Sequence, residues 1–244
     1  MEKVFSYPIS LLAMLLFLLV LLLFHPIQWL CLNIFGYQAH KKSIDYLNLC
    51  LLRIGHLLGT TYSVKNREII PEGVPLIFVS NHQSLYDIIG IIWFFRKFHP
   101  KFVSKVELSK GIPSVSYNLR HGGSVVIDRS DPKQAIPVIK KLAEYIELHK
   151  RSAVIFPEGT RSKTGAPKEF AQSGLKILCK YAPSAYIVPL TINNSWKFVK
   201  YGFFPFGLGN RLTFAAHTPL AVKDFTFEEI MEKTEKAVVQ SIKI

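Results

Sequence analysis

The chain begins with an almost unbroken series of apolar positions. Residues 9–24 carry no charge, and apolar character resumes over 27–35 after His25 and Pro26. A straight membrane-spanning helix needs about 20 apolar residues, and a proline inside a helix tends to kink or end it. The pattern therefore predicts a kinked spanning helix or a hairpin that dips into one leaflet. A cleaved signal peptide is the least favoured alternative, because no clear positive excess precedes the run and no small-residue cleavage site follows it.

A second, largely apolar stretch covers residues 43–59. Its polar interruptions are Asp45, Asn48, Arg53 and His56. This pattern predicts a helix that lies beside the first one or along the membrane interface. We therefore expect an N-terminal unit of membrane-anchoring helices over residues 1–62, followed by a folded domain over residues 63–244.

Beyond residue 62 the pattern changes to short apolar runs of strand length, which alternate with helical segments. The predicted strands are 76–80, 102–104, 124–127, 153–156, 186–192 and 211–215, and the predicted helices are 132–150, 168–181 and 226–242. Asp131 and Pro132 suit the cap and first position of one helix. Thr226 and Glu229 have the spacing of a capping box. Such alternation predicts an α/β fold, with a mixed, largely parallel sheet flanked by helices.

Charge and cysteine content narrow the range of partners. The net charge is +13, which suits nucleic acid, an anionic membrane surface or a phosphate-bearing substrate. The apolar start favours the second and third of these, and no nucleic-acid-binding module is recognisable. Cys31, Cys50 and Cys179 form no CxxC pair, and their odd number and wide spacing are typical of reduced thiols in a cytosol-facing protein.

The first segment with candidate chemistry follows the predicted strand 76–80. It contains His82 and Asp87, whose spacing would place their side chains about 140° apart on a regular helix. The two can meet only if His82 lies in the turn before a helix and Asp87 lies at the helix start. Asp87 would then fix one ring nitrogen and leave the other as a base. The alternative is a histidine satisfied in a turn, with Asp87 as a simple helix cap.

The same spacing occurs at His40 and Asp45, so the spacing alone is weak evidence. That copy follows no predicted strand and has no partner motif nearby. We interpret it as a chance match or as polar groups near the lipid headgroups.

A second segment, Phe-Pro-Glu-Gly-Thr-Arg-Ser, follows the strand predicted over 153–156. Arg161 offers a planar fork of donors that suits a phosphate, and Gly159 permits a positive φ or a close backbone approach. Glu158 would repel a phosphate, so we expect it to bond Arg161, a backbone amide or a substrate hydroxyl. A polar turn with a surface ion pair is the alternative.

Two further segments are weak alone. Residues 122–129 form a glycine turn, a strand and the charged end Asp128-Arg129. Residues 188–192 read as a strand with an internal proline, Pro189, which belongs at a sheet edge or a bulge.

In this order and at these separations, the four segments resemble those of the lysophosphatidic acid acyltransferase (1-acyl-sn-glycerol-3-phosphate acyltransferase, glycerolipid acyltransferase) family. The resemblance covers residues 76–192 and rests on the Asn-His-x-x-x-x-Asp, Gly-rich…Ile-Asp-Arg, Phe-Pro-Glu-Gly-Thr-Arg-Ser and Val-Pro-Leu blocks. It implies an α/β domain in which His82 and Asp87 form a catalytic dyad. The phosphate-binding residues that it implies for the acceptor are Glu158, Gly159, Thr160 and Arg161, helped by Arg129, with Lys105 as a further contact.

The resemblance also implies the reaction. An acyltransferase of this family moves a fatty acyl group from acyl-CoA or acyl carrier protein to the free hydroxyl of a lysophospholipid. Lysophosphatidic acid, giving phosphatidic acid in phospholipid biosynthesis, is the first choice of acceptor. Glycerol 3-phosphate, other lysophospholipids and lyso-ornithine lipid stay open. Transfer is expected to be direct, without an acyl-enzyme, a metal or a cofactor beyond the acyl carrier.

The expected partners are membrane lipids, the lysophospholipid and the acyl donor, without nucleic acid, and the catalytic domain is expected at the cytosolic face of the membrane. A serine hydrolase would also use His and Asp, but the chain has no Gly-x-Ser-x-Gly elbow and only Ser84 lies near His82. A non-catalytic lipid-binding protein at the membrane surface would explain the anchor and the charge. It would not require both His82 and Asp87.

Overall fold

The N-terminal apolar run forms one long helix in the computed structural model, which describes residues 2–128 and 132–243. Helix α1 (Glu2–Leu57) is broken at Gly36, where φ is 76° and ψ is −170°. This backbone conformation is essentially restricted to glycine. The backbone stays helical at Pro26, so the break expected there is misplaced. A proline clash can be absorbed by a bend that keeps helical dihedrals, whereas the positive φ of Gly36 ends the first helical segment.

Helix α1 has two different faces. Its inward face joins an apolar cluster with the rest of the chain, and this cluster includes Leu21, Leu51, Ile89, Phe198 and Phe206. The Ser114 hydroxyl also donates to the Leu21 carbonyl at 2.6 Å. The outward face exposes large apolar side chains, among them Val4, Phe5, Leu15, Ile34 and Phe35. An 18-residue window of α1 has a mean hydropathy of 2.7, so by length and composition the helix could cross a membrane.

The sheet has eight strands in the order β1-β7-β6-β2-β5-β3-β4, with β8 also paired to β6. The strands are β1 (Thr61–Lys65), β2 (Leu76–Ser80), β3 (Pro100–Lys105), β4 (Val125–Ile127), β5 (Ser152–Ile155), β6 (Tyr186–Asn193), β7 (Arg211–Ala216) and β8 (Leu220–Ala221). Strands β2 to β6 run parallel to one another, and β6 pairs antiparallel with β7 and β8. The predicted mixed, largely parallel sheet is therefore confirmed.

Helices cover both faces of the sheet. They are α2 (Tyr86–Phe94), α3 (Val115–His121), α4 (Pro132–His149), α5 (Ser173–Tyr181) and α6 (Phe227–Val239). One core cluster joins α4, α5 and α6 to the sheet, and a second joins α2 and part of α1 to the other face. Strand β2 is buried at every position, as expected for a strand covered on both sides.

The local sequence signals for helix ends were more reliable than those for the first strand. The capping box is confirmed, because the Thr226 hydroxyl accepts from the Glu229 amide and the Glu229 carboxylate accepts from the Thr226 amide. Helix α4 begins at Pro132 as predicted, while its predicted cap, Asp131, lies outside the described residues. Strand β1 was not anticipated, because its five residues alternate between exposed and half-buried positions and include no long apolar run.

Of the two positions predicted for Pro189, an edge or a bulge, the edge is wrong, because β6 is an internal strand. Pro189 lies between the part of β6 that pairs with β8 and the part that pairs with β7. Its carbonyl accepts from the His217 amide at 2.9 Å. The nitrogen of Pro189 faces the same neighbouring strands, at the point where the partner changes from β8 to β7. The absence of an N–H there therefore removes no hydrogen bond between paired strands.

Candidate active site

The turn between β2 and α2 brings His82 and Asp87 together. Nδ1 of His82 lies 2.8 Å from Oδ2 of Asp87. His82 is in the turn and Asp87 is in the first turn of α2, which is the arrangement that the five-residue spacing requires. The pair lies beyond the carboxyl end of β2, at the edge where open α/β sheets place their ligands.

The Asp87 carboxylate is held by more than the imidazole. Its Oδ2 also accepts from the amides of Gln83 at 2.7 Å and Ser84 at 2.9 Å. The side chain is fully buried, and its place at a helix N-terminus favours negative charge. These donors all favour an ionised carboxylate, which accepts the Nδ1 proton of His82 and leaves Nε2 as the basic nitrogen.

The imidazole of His82 has little freedom. Its ring stacks on Phe156, with ring centroids 4.1 Å apart and an angle of 18° between the planes. The side chain keeps 13% of its surface exposed. Its Nε2 has no hydrogen-bond partner among the residues that the structure describes, so this nitrogen is available to a substrate hydroxyl.

Glu158 links the second motif to the first. Its Oε1 accepts from the backbone amide of His82 at 3.1 Å, which is one of the three alternatives expected for this carboxylate. Its Oε2 is buried and has no partner in the described part of the chain. Burial raises the pKa of Glu158 to about 7, although the His82 amide and the Lys168 charge act in the opposite direction.

The loop that contains Glu158 is fixed by its own backbone contacts. The Ser162 amide donates to the His82 carbonyl at 2.8 Å. The Lys168 ammonium donates to the Thr160 hydroxyl at 2.7 Å and to the Arg161 carbonyl at 3.0 Å. Gly159 has φ +68°, the left-handed conformation expected there. Lys168 was not predicted from the sequence, because it lies outside the four motif segments.

Arg161 is exposed, and within the described residues its guanidinium forms no hydrogen bond or ion pair. The alternative of a surface ion pair with Glu158 therefore does not hold, because Glu158 faces the His82 amide instead. Lys105 is exposed at the end of β3, at the same edge of the sheet. Arg129 lies outside the described residues.

Two side-chain amides of the His82 turn, those of Asn81 and Gln83, bind backbone groups at and just after the end of β6. The Asn81 side chain donates to the Ile192 carbonyl at 2.8 Å and accepts from the Ile192 amide at 2.7 Å. The side-chain oxygen Oε1 of Gln83 accepts from the Ser195 backbone amide at 2.9 Å. The turn is thus tied to the end of β6, which explains why a Val-Pro-Leu strand belongs to the same site. Sequence reasoning missed Ser195, which follows no recognisable motif.

The two remaining candidates from the sequence have other contacts. The Ser84 hydroxyl pairs with the Ser195 hydroxyl, accepts from the Tyr86 amide at 3.1 Å and donates to Asp87 Oδ1 at 3.5 Å. None of these contacts joins it to the His82 imidazole, so the geometry does not favour a serine nucleophile activated by His82. His40 is fully buried against Tyr117, and Asp45 pairs with Lys41. The second copy of the spacing therefore forms no dyad.

Comparisons with known proteins point to acyltransferases. A protein-family model described as Acyltransferase matches residues 61–193. A 1-acyl-sn-glycerol-3-phosphate acyltransferase of Helicobacter pylori is 32% identical over 66% of this chain and 67% of its own length. A chloroplastic 1-acyl-sn-glycerol-3-phosphate acyltransferase of Arabidopsis thaliana is 30% identical over 57% of this chain. The human alpha form is 26% identical over 63% of this chain.

The match spans only 38% of the Arabidopsis relative and 53% of the human one. A crystal structure of the 1-acyl-sn-glycerophosphate acyltransferase from Thermotoga maritima has the same fold. Its TM-score is 0.79 at 24% identity, and the likeness covers 98% of this chain and 95% of that chain.

Proposed function

The chain belongs to the acyltransferase family, and from this premise we propose that it transfers a fatty acyl group from a thioester to the free hydroxyl of a lysophospholipid. The proposed acceptor is lysophosphatidic acid and the proposed product is phosphatidic acid. Relatives from a bacterium, a plant and human carry the name of this activity. The proposed donors are acyl-CoA and acyl carrier protein.

The observation that carries the proposal is the 2.8 Å contact between His82 Nδ1 and Asp87 Oδ2. It leaves Nε2 of His82 to take the proton from the acceptor hydroxyl. The hydroxyl oxygen then attacks the thioester carbonyl, and Asp87 stabilises the imidazolium that forms. When the tetrahedral intermediate collapses, the C–S bond breaks and the thiolate takes the proton from Nε2. No covalent acyl-enzyme is needed.

The acceptor's phosphate would be held at the carboxyl edge of the sheet. Arg161 supports this role because it is exposed beside the His82 turn and its guanidinium is not engaged by another described side chain. The fork of a guanidinium suits phosphate oxygens. Gly159 and Thr160 shape the same loop, and Lys105 lies at the end of β3 nearby in the strand order. We propose Arg129, which follows β4 in the sequence, as the second guanidinium contact.

The same proposal includes membrane association, with the domain on the cytosolic side. The exposed apolar face of α1 supports membrane association. Both proposed substrates carry acyl chains, so a catalytic domain that touches the bilayer can receive them without full transfer through water. Because α1 also packs on the domain, it is part of the folded unit and not a free tether.

A coupled assay of thiol release tests the function. Purified full-length protein is given acyl-CoA or acyl carrier protein thioester, together with lysophosphatidic acid, glycerol 3-phosphate or lysophosphatidylcholine. We expect thiol release that depends on lysophosphatidic acid, with phosphatidic acid as the lipid product. Release without any acceptor would identify a hydrolase, and equal use of all three acceptors would contradict a phosphate-selective acceptor site.

A further inference from the structure

A second polar site lies at the opposite edge of the sheet from His82. A small cleft is lined by residues of α1, by the first residues of β3 and by residues near α3. Its polar lining residues are Lys41, Asp45, His99, Lys101, Asn118 and Ser124. Lys101 is near the amino end of β3, whereas the candidate active site lies beyond the carboxyl ends of the parallel strands. The cleft is therefore separate from the acyl-transfer site.

Lys101 is the unusual residue of this cleft. Its side chain lines the cleft while the residue is only 5% exposed. Its ammonium forms no hydrogen bond or ion pair with the residues that the structure describes. It lies 5.1 Å from the centre of the Tyr37 ring. A buried charge without a paired counter-ion is costly. Burial, together with the charges of Arg151 and Lys41, lowers the pKa of Lys101 to about 7, although the Asp45 charge acts in the opposite direction.

A second cation is held against the same aromatic ring. The guanidinium carbon of Arg151 lies 3.9 Å from the centre of the Tyr37 ring. Among the described residues that line the cleft, the one carboxylate is Asp45, and it pairs with Lys41 at 2.5 Å. Arg151 does not line the cleft but shares the Tyr37 ring with Lys101, so the two cations form an excess of positive charge at and beside the cleft. A bound anion would remove the cost of holding Lys101 charged.

The position of the cleft along α1 indicates where such an anion would come from. Tyr37 directly follows the break at Gly36, and the preceding Ile34 and Phe35 are 62% and 67% exposed. If these apolar side chains enter the bilayer, Tyr37 and the cleft lie at the level of the lipid headgroups, where tyrosine and basic side chains are enriched. The enclosed part of the cleft is about 20 Å³, which is room for roughly one water-sized group. A phosphate would enter by an oxygen and keep its ester side outside.

We propose that this cleft binds the phosphate of an anionic membrane lipid through Lys101 and Arg151, at a site distinct from the acceptor site. The inference rests on the membrane association proposed above but not on the acyl-transfer activity. The lipid acts here as a bound ligand that fixes the domain against α1, not as a substrate.

Binding is tested with the full-length protein in nonionic detergent micelles. The probes are phosphatidylglycerol, phosphatidylcholine and inorganic phosphate, each titrated while the midpoint of thermal unfolding is measured. A ligand that binds only the folded state raises this midpoint, and the rise grows with the logarithm of the ligand concentration divided by Kd once the site is saturated. We expect phosphatidylglycerol to raise the midpoint of the wild type and phosphatidylcholine to have little effect.

The test variant is Lys101→Gln/Arg151→Gln. Loss of charged hydrogen bonds should weaken the apparent affinity for phosphatidylglycerol roughly tenfold or more. The matched control is Lys140→Gln/Lys180→Gln, which removes two cations that also contact one tyrosine ring, Tyr181. The control should respond like the wild type. If the double variant does not fold, Arg151→Gln alone, at a half-buried position, should give a smaller shift in the same direction.

Three outcomes would overturn the inference. An equal response of the wild type and the test variant to phosphatidylglycerol would remove the cleft as the site. An equal response to phosphatidylcholine and phosphatidylglycerol would remove the requirement for negative charge. A response to inorganic phosphate without one to phosphatidylglycerol would replace the lipid by a free anion. All three outcomes are measured by thermal unfolding and none by acyl transfer. A failure of the proposed lipid site can therefore be distinguished from a failure of the proposed activity.

Discussion

The carboxylate of Glu158 accepts a hydrogen bond from the backbone amide of His82 at 3.1 Å, although 76 residues separate the two in the chain. This contact joins the two motifs that carry most of the candidate chemistry. It holds the loop after β5 against the turn after β2. The turn that carries the base, His82, is therefore joined to the loop that is proposed to bind the phosphate.

Asp87→Asn should reduce acyl transfer by roughly 10²–10⁴-fold, because an amide cannot accept from His82 and from two backbone amides as a carboxylate does. The loss of charged hydrogen bonds should also lower the free energy of unfolding by about 1.5–3 kcal/mol. The rate constant and the thermal midpoint are measured on the same preparation. Asp224→Asn, on the surface, is the control and should change neither. A normal rate in Asp87→Asn would remove Asp87 from the dyad.

Glu158→Gln should change how stability depends on pH. The folded-state pKa of Glu158 is raised to about 7 from 4.5, chiefly by burial, so the folded chain disfavours the ionised form. The wild type should therefore lose stability as the pH rises from about 4.5 to about 7, by about 1–3 kcal/mol. The glutamine variant lacks this loss. The difference in thermal midpoint, variant minus wild type, should be larger at about pH 8 than at about pH 5.

The exposed Glu107→Gln serves as the control for Glu158→Gln, and its difference from the wild type should not vary with pH in this way. A constant difference for Glu158→Gln across the same range would show that Glu158 ionises in the folded chain as it does in the unfolded chain.

Arg161→Ala should weaken use of the acceptor by roughly one to two powers of ten, since a charged hydrogen bond contributes about 1.5–3 kcal/mol. Arg161→Lys should also be impaired, because an ammonium cannot reproduce the bidentate fork. Steady-state kinetics with both substrates varied should place the defect in the acceptor's KM or kcat/KM. Lys163→Ala, in the same exposed loop, is the control. If donor and acceptor parameters fall together, Arg161 does not bind the acceptor's phosphate.

Gly36→Ala should lower the free energy of unfolding by about 1–3 kcal/mol, because the φ of 76° and ψ of −170° are strained for any residue with a Cβ. An added Cβ would meet nothing within 4 Å, so the cost comes from the backbone alone. Thermal unfolding in detergent micelles gives the value. Pro26→Ala should be neutral or stabilising, since the backbone there is already helical. The reverse ranking of the two variants would place the break at Pro26.

Local sequence signals gave the architecture and the dyad but not the contacts between motifs. The spacing of His82 and Asp87, with a strand before and a helix after, was enough to bring the two side chains together. The contact of Glu158 with the His82 amide could not be predicted, because it depends on which strands lie side by side in the sheet. The break in α1 was misplaced for a related reason. Proline has a known local effect, whereas the conformation of Gly36 is set by how the two halves of α1 pack on the domain.

Turnover of His82→Ala tests the account most directly. The wild type and the variant, both full length and matched in thermal midpoint, are assayed for thiol release with an acyl thioester and lysophosphatidic acid. We expect the variant to be slower by roughly 10²–10⁴-fold, while His40→Ala, from the copy of the spacing that forms no dyad, keeps the wild-type rate per folded molecule. A near-normal rate in folded His82→Ala would contradict the role of His82 as the base.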